Sequence, residues 1–143
     1  VIVRRTAAAA FIGLALIVLA PRVGEPDRTE AVAIGTLRMI VSGEQAYASA
    51  NDGYFDTPAV ASSSEHGAYQ VQFHPGPKAA RESGEQSPTA MTRFAVVAVP
   101  TDPMASRRRA FCADDRGTIY VTIGGTRPRI DSTRCLDTSS PLR

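Results

Sequence analysis

Between Thr29 and Phe55 the apolar residues Ile34, Leu37, Val41 and Ala48 recur at three- and four-residue steps, and Met39 and Ile40 widen the stripe. That spacing predicts an amphipathic α-helix of about six turns. Arg38, Ser42, Glu44 and Gln45 fall largely between or opposite the apolar positions. Asn51, Asp52 and Gly53 then tolerate left-handed backbone and end the helix. Ile34, Leu37, Val41 and Tyr47 are the residues expected to dock this helix on whatever lies beneath it.

Downstream the period changes from 3.6 to 2. In GAYQVQFHP, Tyr69, Val71 and Phe73 alternate with Gln70, Gln72 and His74, a half-buried strand stopped by Pro75-Gly76-Pro77. RFAVVAVP is apolar at nearly every position and predicts a central strand. AFCAD and GTIYVTI predict two short strands around Asp114-Asp115-Arg116-Gly117, where glycine can take a positive φ. Thr57 to Gly67, Lys78 to Pro88 and Thr101 to Arg109 read as loops, and Gly124 to Arg143 as mostly irregular tail. The sum is an α+β fold, one long helix packed on a roughly four-stranded antiparallel sheet.

Ahead of this domain, VIVRR precedes the 15-residue uncharged run TAAAAFIGLALIVLA. A basic start and a short apolar core are the layout of a signal peptide or a signal anchor. As a helix the run would span about 22 Å, with Arg4 and Arg5 held on the cytoplasmic side. Pro21 after Ala20 disfavours cleavage there, so a retained anchor is the expectation and secretion after cleavage the alternative. The expected organisation is therefore residues 1–20 as anchor or signal, 21–28 as a Pro/Gly hinge, and 29–143 as the domain.

Composition changes this picture little. The 143 residues are 43% apolar and 21% charged, sufficient for one globular domain. A net charge of +2, without aromatics interleaved among the arginines, gives no reason to expect a nucleic-acid partner. Cys112 and Cys135, with no histidine nearby in sequence, make a poor zinc site. In an exported chain they read as a disulfide contributing about 3 kcal/mol, the alternative being two reduced buried thiols.

Residues that could carry chemistry do not converge. His66 lies in a serine-rich loop, and His74 stands among the polar positions of a strand, so both are expected to be exposed and unpartnered. Ser62, Glu65 and His66 contain the letters of a hydrolase, but one loop cannot hold nucleophile, base and orienter apart. Asp114 and Asp115 are adjacent, so in a strand they point to opposite faces; Asp114 is expected outward and Asp115 in the turn. No glycine-rich phosphate loop precedes a helix. The expectation is a non-enzymatic chain with no metal, cofactor or small-molecule substrate. Arg107-Arg108-Arg109 is the dense charge run and a candidate contact for an anionic partner.

TEAVAIGTLRMI followed by EQAYASANDGYF resembles the first periplasmic part of the long helix in type IV pilins and type II secretion pseudopilins. FIGLALIVLAP is similar to the end of a pilin's hydrophobic helix. RFAVVAVP and RAFCADDRGTIY are similar, in the same order, to the family's late strands and last hairpin. No glycine-led processing motif with an early Glu precedes the apolar run; Arg4 and Arg5 stand there instead. The resemblance implies a bacterial envelope protein anchored in the cytoplasmic membrane with its domain outside, an accessory subunit contacting other pilin or secretion subunits. The alternative is a binding module on the same fold that does not assemble.

Overall fold

The computed structural model describes residues 27–57, 64–66, 68–80, 87–102, 108–136 and 140–142. The expected anchor, most of the expected hinge, and Arg107 lie outside the described residues. Among the described residues no helix is long and apolar enough to cross a membrane.

The long helix, α1, runs Arg28–Ala50. Asp27 caps it: one carboxylate oxygen accepts from the backbone N–H of Thr29 at 2.9 Å and of Glu30 at 2.8 Å. Those are two of the donors a helix start leaves without an internal partner. At the other end Asp52 (φ 54°) and Gly53 (φ 82°) take left-handed backbone, and the Gly53 N–H reaches back to the Ala48 carbonyl at 2.9 Å. Ala33, Ile34, Leu37, Ile40 and Val41 are buried in the core. Met39 is not part of that stripe. At 100° per residue it points about 160° away from Leu37, and it is 57% exposed.

Beneath α1 lies an antiparallel sheet. Its strands are β1 (Ser64–His66), β2 (Tyr69–Pro75), β3 (Phe94–Pro100), β4 (Ala110–Asp114) and β5 (Ile119–Thr122), with β8 (Ser140–Pro141) on the far edge. They are ordered β1-β2-β3-β4-β5-β8, so the four longer strands form the middle and two short ones cover the edges. Part of the predicted Thr57 to Gly67 loop is thus a strand: Ser64, Glu65 and His66 pair with Val71, Gln70 and Tyr69. The predicted β4–β5 turn forms as read, with Gly117 at φ 83°. Ile34, Leu37 and Val41 pack with Tyr69, Val71, Phe94, Val96, Phe111 and Val121 on the near face. Phe94 lies between Phe55 and Phe73, its ring 5.0 Å and 5.4 Å from theirs.

The far face is also covered. Strands β6 (Ile130–Asp131) and β7 (Arg134–Cys135) make a hairpin in the tail that was expected to be irregular. Val97, Cys112 and Cys135 cluster there, with Val99, Tyr120 and Ile130 against them. A disulfide joins Cys112 of β4 to Cys135 of β7, their Cα atoms 6.0 Å apart. Cover on both faces explains why β3 and β4 lack the alternation of a one-sided strand. The hairpin turns on Ser132 (φ 46°) and Thr133 (φ 72°), left-handed positions usually given to Asn and Gly.

Candidate interaction surface

The outward side of α1 is shaped by where its charges go. Glu30 and Glu44 are its two acidic residues, and both turn inward, each 5% exposed. Glu30 meets Arg109 at the start of β4. One carboxylate oxygen accepts from the Arg109 backbone N–H at 3.0 Å, the other from Nε at 3.0 Å and from Nη2. The Tyr69 hydroxyl donates to the Arg109 carbonyl at 2.8 Å, which ties β2 to the same point. Glu44 accepts from the Asp56 backbone N–H at 3.0 Å. Burial raises the Glu44 carboxyl above its usual range, and the neighbouring Asp56 charge adds to the rise. Burial pushes Asp56 up too, but hydrogen bonds from Thr89, Ser87, the Thr57 N–H and Tyr47 outweigh it and hold that carboxyl low.

With both carboxylates withdrawn, the solvent side of α1 presents Arg28, Val32, Gly35, Arg38, Met39, Ser42, Gly43 and Ala46. Val32 is 51% exposed. Neither Gly35 nor Gly43 has any atom within 4 Å of where a Cβ would stand, so the backbone is open to close approach. A surface helix normally carries charge of both signs on this side. This one has arginine, small residues and two large apolar side chains.

The residues singled out from sequence fall as follows. Ile34, Leu37 and Val41 face the sheet. Tyr47 is half-buried, lies outside the core cluster, and bonds Asp56 at the helix end. The expected outward run of arginines fails at Arg109, whose side chain is 11% exposed and committed to Glu30. Arg108 is half-buried, and its charge helps hold the Asp27 carboxyl low, after the hydrogen bonds from Thr29 and Glu30.

Asp114 corrects another expectation. It is fully buried on the far face and not outward. Its Oδ2 accepts from Arg116 Nη2 at 2.7 Å and from the Cys135 N–H at 3.1 Å, while the same Arg116 nitrogen donates to the Cys135 carbonyl at 3.3 Å. Carboxylate and guanidinium thus grip both sides of one peptide residue, the one carrying the disulfide. Asp115 sits in the turn; burial and the Asp114 charge raise its carboxyl. His74 is half-buried, and its Nε2 is shielded with no partner among the described residues. Burial and then Arg127 push the imidazole below its ordinary value.

Sequence reasoning missed Glu30 and Glu44 as inward groups. The available signal was position: both fall on the helical side that carries Leu37 and Val41. Among the described residues no three His, Cys, Asp or Glu side chains come together as metal ligands. Comparison with family models, with curated proteins and with solved structures returns no match.

Proposed function

We infer that the chain is a non-enzymatic envelope protein of pilin-like or pseudopilin-like type, working through protein–protein contact along the outward side of α1. One observation carries this reading: a 23-residue helix that buries both of its carboxylates and leaves Val32, Met39 and two glycines in solvent beside its arginines. Exposed apolar surface is costly to keep in water and marks sites of association. The Cys112–Cys135 bridge supports a compartment outside the cytoplasm, where disulfides persist. The N-terminal apolar run supports attachment to the cytoplasmic membrane, with the domain on its outer side.

The test is fractionation of cells making the full chain, with free thiols in each fraction alkylated in denaturant without reductant. The expected result is envelope-associated protein with neither cysteine alkylated. Cytoplasmic protein with both cysteines alkylated overturns the reading.

A further inference from the structure

The geometry points to a second copy of this chain as the partner of the outward side of α1, docked antiparallel about a two-fold axis through Met39. Met39 is the midpoint of Arg28–Ala50 and the most exposed of the large apolar side chains among the described residues. Three pairs of outward residues stand symmetrically around it. Gly35 and Gly43 stand four positions to either side, Val32 and Ala46 seven, Arg28 and Ala50 eleven. An antiparallel pair sums residue numbers to a constant, so Gly35 meets its mate's Gly43 and Val32 meets Ala46. Each glycine removes a Cβ at a crossing point, which lets two backbones approach closely around the Met39 pair. An isologous contact needs a surface complementary to itself under rotation, and this spacing supplies one.

Charge at the helix ends favours the same arrangement. The last turn of α1 carries no basic residue, and exposed Asp52 follows it. Helix C-termini carry partial negative charge that a cation stabilises. Antiparallel docking brings Arg28 of one copy to that end of the other, beside Asp52. Arg38 does not oppose itself, because the two-fold axis carries it and its mate to opposite margins of the contact. A parallel pair would instead align Arg28 with Arg28 and Arg38 with Arg38. This inference goes beyond the functional reading above and holds whether or not the chain joins a filament.

The full chain in intact expressing cells, treated with a membrane-permeant bifunctional maleimide, tests it through added cysteines. Met39→Cys should give a product of twice the chain mass. Val32→Cys co-expressed with a differently tagged Ala46→Cys should give the mixed dimer, with little product from either alone. Gly35→Glu placed in the Met39→Cys background should abolish the dimer band. Self-linking of Val32→Cys and of Ala46→Cys without the mixed product would mean parallel packing and overturn the proposal. Adducts of another mass, from a different protein on this face, overturn it as well, and so does no product at any position. None of these outcomes depends on which compartment holds the chain, so they separate from the fractionation test.

Discussion

Glu30 and Arg109 are where single residues matter most. Both side chains are nearly out of water, and the pair links the first turn of α1 to the start of β4. Removing one member of such a pair leaves the other charged and unsolvated, which typically costs 3–5 kcal/mol. Glu30→Ala is therefore expected to lower the unfolding free energy by about 3 kcal/mol, measured by urea denaturation. His74 gives a pH signature. Burial and Arg127 disfavour its charged form in the fold, so its folded pKa lies below the unfolded one. In that window the unfolded chain binds the extra proton, so stability present above about pH 6.5 falls as the pH drops toward the folded pKa. His74→Gln should flatten that part of a melting-temperature profile taken from pH 7.5 to 5.5; an unchanged slope would assign it elsewhere.

At the scale of elements, legibility follows length and period. The helix could be read because apolar residues recur over 23 positions, and β3 because its seven consecutive residues include no polar side chain. The β6–β7 hairpin could not. Two-residue strands have no period to detect, and Asp131-Ser132-Thr133-Arg134 lacks the Asn-Gly pair that marks a tight hairpin turn. Asp114 follows the same logic: beside a turn an aspartate reads as outward, unless something covers that face. The cover is this hairpin. Ser132 and Thr133 hold left-handed backbone that neither residue favours. Replacing them with Asn and Gly should raise stability by about 1 kcal/mol, read from the denaturation midpoint. A loss of stability would mean that the native side chains contribute more than their backbone strain costs.

Taken together, the described residues form a sheet shielded on both faces by different means, a helix on one and a disulfide-closed hairpin on the other. The hairpin does not depend on the bridge alone, because Asp114 and Arg116 hold the Cys135 backbone from both sides. Cys112→Ser with Cys135→Ser should therefore cost about 3 kcal/mol and still leave a cooperative unfolding transition. The two faces of α1 then divide the work. The inner one fixes the fold, and on the reading proposed above the outer one, free of carboxylate, takes a partner.

A photo-reactive amino acid placed at Met39 of the full chain, in cells that naturally make it, tests that division most directly. A covalent protein adduct from position 39, and from Val32 and Ala46 on the same side, is the predicted result. Irradiation that leaves the chain free of adducts at all three positions would contradict the account.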